Sequence, residues 1–350
     1  MSKYAIDLVS DTATRPGPAM REAMASAEVG DEQLGEDPTV NELCARVAQL
    51  LGHDEALFLP SGTMCNAIAI LVHCNPGDEI IAADSAHIVS SEGAGPAVLA
   101  GSFVHGIPSP DAIFSAADVH ARIRPKKPKA PRSRLVELEQ TTNRGGGAVW
   151  PIDTVTQVSE AAREHGLSVH MDGARLMNAV VASGVPADRY GGAMDSVWLD
   201  LSKGLGCPVG GVLAGSRAFM DEAWIWKHRL GGAMRQAGTV AAAGIYALEH
   251  NIERLADDHD NARILAERIA QIPGLAVVNP RVETNLLFFD VSETGLEASD
   301  VAAQLGVHGI RIGIESKYRM RAVTHLDVDS EGVSAAASAL ADIVAAAPGQ

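Results

Sequence analysis

Aromatic side chains are scarce in this chain. Phe, Tyr and Trp together make 4% of its 350 residues, so its core must be assembled from Ala, Val, Leu and Ile. Cysteine is scarcer still: Cys44, Cys65, Cys74 and Cys207 show neither CxxC spacing nor a Cys/His ligand pattern. A disulfide framework is improbable in a chain of this length, no metal site is indicated, and four reduced thiols are expected. Positive charge is in deficit, with 28 Lys and Arg against 44 Asp and Glu and a net charge of −16. That balance argues against a nucleic-acid or anionic-membrane surface, both of which need clustered cations. No apolar run approaches the ~18 residues of a membrane span. The opening MSKYAIDLVSDTATRP lacks the apolar stretch of a secretory signal. The expectation is a soluble cytoplasmic protein with neither nucleic acid nor membrane as partner.

What the chain does have is an ordinary globular balance, 47% hydrophobic and 21% charged, and 34 glycines. Its length allows one or two domains with a sizeable core. Short apolar runs read as strands at 56–60, 79–84, 134–140, 167–172 and 195–202. Helical patterns lie between them, at 38–52 and at 153–166, where Val155, Val158, Ala161 and Ala162 share a face and Gly166 closes the helix as C-cap. Alternating strand and helix implies a mostly parallel, doubly wound α/β sheet. The last third opens with a long helix-like run over 236–272. Shorter strands such as 284–291 follow, then an Ala-rich terminal helix over 331–346. The division expected is an N-terminal segment 1–15, a large domain 16–240 and a smaller α+β domain 241–350. One stretch stands out by composition: RPKKPKAPRSR, 124–134, has six basic residues in eleven. In a chain this acidic it reads as a solvated, Pro-stiffened loop rather than an anion patch.

In open α/β sheets the ligand sits outside the carboxyl ends of the strands. After the run 56–60 comes Ser61-Gly62-Thr63 and then an apolar helix, a helix N-terminus able to bind an anion such as phosphate. His87 follows the next strand, Asp172 ends a third and is followed by Gly-Ala-Arg175, and Lys203 follows a fourth between Ser202 and Gly204. Singly these are a loop histidine, a cap and a solvated lysine. Together they are more informative. A desolvated lysine of lowered pKa forms imines, a carboxylate holds a protonated ring nitrogen, a histidine stacks on a planar ring, and a helix N-terminus takes a phosphate. That combination describes pyridoxal phosphate.

The blocks GEDPTVNEL (35–43), LPSGTMCNAIA (59–69), HIVSSEGAG (87–95), HMDGARLMNA (170–179), DLSKGLGCPVGGVLAG (200–215), LGGAMRQAG (230–238) and RAVTH (321–325) stand in order along nearly the whole chain. In them the sequence resembles the threonine aldolase family of pyridoxal-phosphate enzymes, of the aspartate-aminotransferase type (fold type I). The resemblance implies that Lys203 forms the Schiff base, Asp172 pairs with the pyridine nitrogen and His87 stacks on the ring. It also implies that Gly62, Thr63 and Ser202 bind the phosphate, with Arg235 reaching it from a neighbouring subunit. Ser10, Arg175 and Arg321 would hold the substrate carboxylate, Arg being suited by its planar fork. The activity implied is reversible retro-aldol cleavage of L-β-hydroxy-α-amino acids to glycine and an aldehyde. The assembly implied is a homotetramer with shared active sites. His87 and an ordered water are the two candidate bases, and a β-eliminating lyase or an aminotransferase is the alternative on the same fold.

The chain departs from the family pattern twice. Leu34 stands where the family has a Tyr, and Lys129 stands at the position of a second active-site His. By the resemblance, both belong to the region near the substrate's β-substituent or to a neighbouring subunit's contribution to it, and an apolar Leu34 suits a bulky aldehyde such as that from phenylserine.

Overall fold

The structure, a computed structural model, describes residues 4–279 and 281–347. Twelve strands build two sheets: β1 (Ile6–Leu8), β2 (Glu55–Leu59), β3 (Asp78–Ala83), β4 (Phe103–Ile107), β5 (Arg132–Glu139), β6 (Ser168–Gly173), β7 (Ser196–Asp200), β8 (Gly211–Gly215), β9 (Ala276–Val277), β10 (Leu286–Asp290), β11 (Ile310–Ile314) and β12 (Arg319–Val323). The first sheet has seven strands in the order β2-β8-β7-β6-β5-β3-β4. Its pairs β3–β4, β3–β5, β5–β6 and β6–β7 are parallel, while β8 runs antiparallel to both β2 and β7. β3, β7 and β8 are buried along their whole length, as expected of strands covered by helices on both faces. The doubly wound α/β expectation therefore holds, and the strands lie within about two residues of their apolar runs.

The helices follow local chemistry. Asp37 caps the helix Pro38–Leu51 by accepting from Val40 N, with Pro38 in its first turn. The helix Ile152–Glu164 buries Val155, Val158, Ala161 and Ala162. His165 is its cap, and Gly166 lies one residue beyond, taking the left-handed conformation at φ 74° that ends the helix. The expected single run 236–272 is two helices, Gly238–His250 and Leu255–Ile269, broken at Asn251. The Asn251 side chain donates to Leu205 O at 2.7 Å, anchoring the break.

The second sheet has the order β1-β11-β12-β10-β9, so the N-terminal segment supplies an edge strand to it, parallel to β11. Each sheet has its own core. Ala241, Ala243, Ala247 and Leu255 pack on the large one, and Leu265, Ala266 and Ile269 on the small one. The changeover thus falls inside the helix Leu255–Ile269, beyond residue 240. All four cysteines are free, and Cys65, Cys74 and Cys207 are buried. Among the described residues no helix is long and apolar enough to cross a membrane.

The basic loop 124–134 leads into the amino end of β5. Arg124 Nε donates to Glu79 at 2.9 Å, and Arg132 makes a two-pronged contact with Asp78 at 2.8 and 2.7 Å. Two of its cations are therefore spent on acids at the start of β3. Lys129 lies in the turn before β5, so the eight residues of that strand put it about 25 Å from the carboxyl end.

A buried ion pair lies away from the carboxyl ends of the strands. Lys227 Nζ donates to Glu32 Oε1, and Glu32 Oε2 accepts from Met234 N at 2.8 Å. Burial works to lower the Lys227 pKa. The pair clamps the 230–238 loop onto the 31–36 turn, where Glu32 N donates to Arg235 O at 3.0 Å. Replacing Glu32 by Ala leaves a buried charge without a partner and should destabilise the protein by about 3–5 kcal/mol in urea unfolding. The double variant Glu32→Leu/Lys227→Met should recover most of that loss.

Candidate active site

The carboxyl ends of β5, β6 and β7 open onto a cavity of about 360 Å³. Its lining includes Ser10, Gly62, Thr63, His87, Asp172, Arg175, Lys203 and Arg321, residues scattered over more than 300 positions of sequence. The convergence follows from the fold: the parallel strands end on one side, and the turn after each is where its polar residues stand.

Gly62 and Thr63 begin the helix Gly62–His73, whose cap Ser61 accepts from Met64 N at 3.2 Å. A Cβ on Gly62 would lie 2.1 Å from the Trp198 ring, so the helix start packs directly on the indole. Its first-turn N–H groups border the cavity, as an anion site requires. Asp172 is buried near the end of β6. Its Oδ1 accepts from Ala174 N at 3.0 Å and its Oδ2 from Asn66 Nδ2 at 2.8 Å. His87 N donates to Glu139 Oε2 at 2.8 Å, and His87 Nδ1 lies 2.7 Å from Glu92 Oε1. That bond to Glu92 raises the His87 pKa against the pull of burial. His87, Glu92 and Asp172 offer ligand atoms within 4.8 Å of one another, but hydrogens of Asn66 already occupy the gap between the two carboxylates.

Lys203 corrects one expectation. Burial alone would lower its pKa, but Asp200 Oδ2 lies 2.6 Å from Nζ and the net shift is upward. The resting amine is therefore an ammonium paired with Asp200. Ser202 donates both its N–H and its hydroxyl to Asp200 Oδ1, at 2.7 and 2.9 Å, and stands outside the cavity lining. Its hydroxyl hydrogen is engaged by Asp200, which it steadies.

The two arginines differ in what they have left to offer. Arg175 gives Nε and Nη2 to Asp11 at 2.7 and 2.8 Å in a buried pair. Burial works to raise the Asp11 pKa, but Arg175 outweighs it and holds the carboxyl well below the usual range. Only Nη1 of Arg175 has no protein partner among the described residues. Arg321 on β12 donates to two neutral acceptors, Asn143 Oδ1 and Val9 O, both at 3.1 Å, and faces the Glu315 carboxylate more loosely, Nη1 to Oε1 at 3.7 Å. Ser10 lies beside them, accepting from Thr12 N and Thr12 Oγ1 at 3.2 and 2.9 Å.

Three further residues named from sequence lie outside the cavity lining. Leu34 is 70% exposed, outside the cavity, and Arg235 is exposed and paired with Asp31 at 2.8 Å. Both sit on the ledge clamped by Lys227 and Glu32. Lys129 is at the wrong end of β5 for this chain's own cavity, because the site is built on carboxyl ends and Lys129 precedes the strand. Conversely, Asp200, Glu139, Asn143 and Trp198 line the cavity without having been named. Glu139 faces Asp172 in the strand register, so inspecting the last residue of every parallel strand would have found it and Asp200.

The donor set fits a phosphorylated pyridine aldehyde. An amine, an acid with a free lone pair, an imidazole and a helix N-terminus surround one cavity, and arginines stand at its far side. These features define a pyridoxal-phosphate-dependent enzyme of fold type I. Residues 7–294 match the family model for beta-eliminating lyases. The chain is 42% identical over 342 residues to the low specificity L-threonine aldolase of Escherichia coli K12, covering 95% of this chain and 97% of the relative. It is 41% identical over 336 residues to a probable low-specificity L-threonine aldolase of Arabidopsis thaliana, covering 94% and 95%. The solved threonine aldolase of Leishmania major superposes with a TM-score of 0.83 at 21% identity, covering 97% of this chain and 99% of that one. The chain belongs to the threonine aldolase family.

Behind the site, His73 and His170 are buried, and desolvation lowers their pKa values to about 4 and about 3. An unfolded histidine titrates near 6.5, so between these limits the unfolded state binds more protons and stability falls as pH falls. Going from pH 7 to pH 5 should cost about 2 kcal/mol per histidine in chemical denaturation. The slope should be shallower in His73→Gln.

Proposed function

We propose that this chain is a pyridoxal-phosphate-dependent aldolase that reversibly cleaves L-β-hydroxy-α-amino acids, threonine and allo-threonine among them, to glycine and an aldehyde. The observation that carries the reading is the meeting of Lys203, Asp172, the Gly62–His73 helix start and Arg321 around one cavity. When bound, the cofactor supplies an electron sink for the pair released as Cα–Cβ breaks.

The residues divide the remaining tasks. Lys203 Nζ is the amine that attaches the cofactor, and Asp200 Oδ2 accepts the proton Nζ must lose first. Asp172 keeps the ring nitrogen protonated. Gly62 and Thr63 turn first-turn N–H groups to the phosphate, and His87 covers the ring. Arg321, with Nη1 of Arg175 and Ser10, holds the substrate carboxylate and so sets which Cα bond stands across the ring plane. With Nδ1 on Glu92, His87 keeps Nε2 for the β-hydroxyl proton, received directly or through one water.

Arg235 and Leu34 face outward on one ledge, and we assign them to a neighbouring subunit's cavity in a homotetramer, Arg235 toward its phosphate and Leu34 toward its β-substituent. Lys129 has no role in this chain's own cavity. The free thiols are in keeping with a reducing, cytoplasmic compartment.

Lys203→Ala should abolish aldehyde release while leaving the unfolding transition in place; retained cleavage would falsify the assignment. Arg321→Leu should raise KM for the amino acid about 100-fold, the order for losing about 3 kcal/mol of charge-assisted bonding, with cofactor affinity nearly unchanged. If Leu34 faces the β-substituent, phenylserine should be cleaved at least as well as threonine, and glycine should appear without any keto-acid acceptor. A strong preference for threonine would sink the Leu34 assignment alone.

A further inference from the structure

Asn66 lies one turn into the helix Gly62–His73, fully buried, and it touches the site from behind. Its Nδ2 is 2.8 Å from Asp172 Oδ2 and 2.7 Å from Glu92 Oε1. Its Oδ1 is 2.8 Å from Trp198 Nε1 and 3.1 Å from His170 Nε2. An amide can in general be placed either way round. Here an indole N–H, which only donates, fixes it: the oxygen faces Trp198 and the two hydrogens face the two carboxylates.

The same oxygen fixes a chain of groups behind it. His170 Nε2 must carry a hydrogen to reach Asn66 Oδ1, so in the neutral ring Nδ1 is bare and accepts from Ser196 Oγ, 2.8 Å away. Ser196 has one hydrogen and has given it to His170. It therefore accepts from His73 Nε2, also at 2.8 Å. Burial keeps both imidazoles neutral, as the directions of their pKa values require.

We propose that Asn66 is the positioning residue of this site, its polarity imposed by Trp198 and matched by the His73–Ser196–His170 chain, so that one amide sets Asp172 and, through Glu92, the ring of His87. The proposal rests on reading the cavity as a pyridoxal-phosphate site. Asp172 is held by two neutral donors, Ala174 N and Asn66 Nδ2, and by no cation, so its full negative charge remains for a ring nitrogen. Glu92 Oε1 receives Asn66 and His87 Nδ1 at once. The Asp172 carboxylate and the His87 imidazole are thereby fixed relative to each other through the two hydrogens of a single planar group.

Neutron diffraction from the deuterated holoenzyme tests the polarity. Deuterium is expected on Nε2 of both His170 and His73 and on neither Nδ1; deuterium on His170 Nδ1 overturns the proposal. Kinetics test the consequence. His170→Gln can still donate to Asn66 and accept from Ser196, and should keep kcat within about threefold of the wild type. His170→Leu and Asn66→Ala should lower kcat about tenfold or more, weaken cofactor retention, and leave the amino-acid KM within about twofold. Equal effects of Gln and Leu at 170, or a KM rising in step with the loss of kcat, would reduce Asn66 to a core residue and overturn the proposal. Should Asn66→Ala not fold, the His170 pair and the neutron map decide. A wild-type protein with no visible cofactor band defeats the pyridoxal-phosphate reading instead, and leaves the hydrogen assignments standing.

Discussion

The buried pair between Asp11 and Arg175 holds the two halves of the molecule to one geometry. Asp11 follows β1 of the second sheet, and Arg175 follows β6 of the first. Asn285, just ahead of β10, adds a third bond to Asp11 at 3.1 Å. The ion pair is therefore the joint at which the two sheets meet, and it stands in the wall of the cavity. Arg175 is largely committed to it, whereas the carboxylate facing Arg321, that of Glu315, stands off at 3.7 Å. A buried pair of this kind adds little net stability, since desolvation offsets the attraction, but breaking it strands a charge. Its value here is placement: strand ends from separate sheets are fixed to within hydrogen-bond tolerance.

The cavity itself is acid-rich. Glu139, Asp172 and Asp200 stand at the ends of three adjacent strands, with Glu92 close by. Each has a defined donor: Asn143 N and His87 N for Glu139, Asn66 for Asp172, Lys203 and Ser202 for Asp200, His87 for Glu92. Glu137, two residues back on β5, is different. Neither of its oxygens finds a partner, and burial, with the charges of Asp172, Glu139 and Glu92, pushes its pKa well above the ordinary value. Burial and its acidic neighbours both favour its neutral form over another negative charge in the cluster. In a chain of net charge −16, anions are thus bound by a few placed groups and a helix end, with local geometry overriding the global sign.

Much of this was legible in the sequence, and what was not has physical reasons. Apolar runs alternating with helical patterns gave the parallel strands, and the carboxyl-end rule then gathered Gly62, Thr63, His87, Asp172 and Lys203 into one cavity. β1 escaped notice because three residues carry no period. Asn66, Glu92 and Asp200 escaped because each acts through another side chain, and no spacing marks such a partner. The Lys203 pKa was read from desolvation alone, while a carboxylate three residues upstream reverses the sign. Lys129 precedes a strand whose other end holds the site, and the carboxyl-end rule speaks against a place for it in this chain's own cavity. Leu34 and Arg235 show where a single chain stops being informative: their side chains point off the ledge that Lys227 and Glu32 secure.

The contact between Gly62 and Trp198 has a bearing on how such a site can diverge. The indole occupies the volume that any side chain at 62 would need, 2.1 Å from the would-be Cβ. The two positions therefore make one unit of inheritance. A larger residue at 62 is viable only in a background where 198 has already shrunk, and with the indole would go the N–H that orients Asn66. Change at the Gly62 turn is thereby tied to change around Asn66 and Asp172, and a chain carrying this tryptophan has fewer single-step routes away from its present cavity than the count of lining residues suggests.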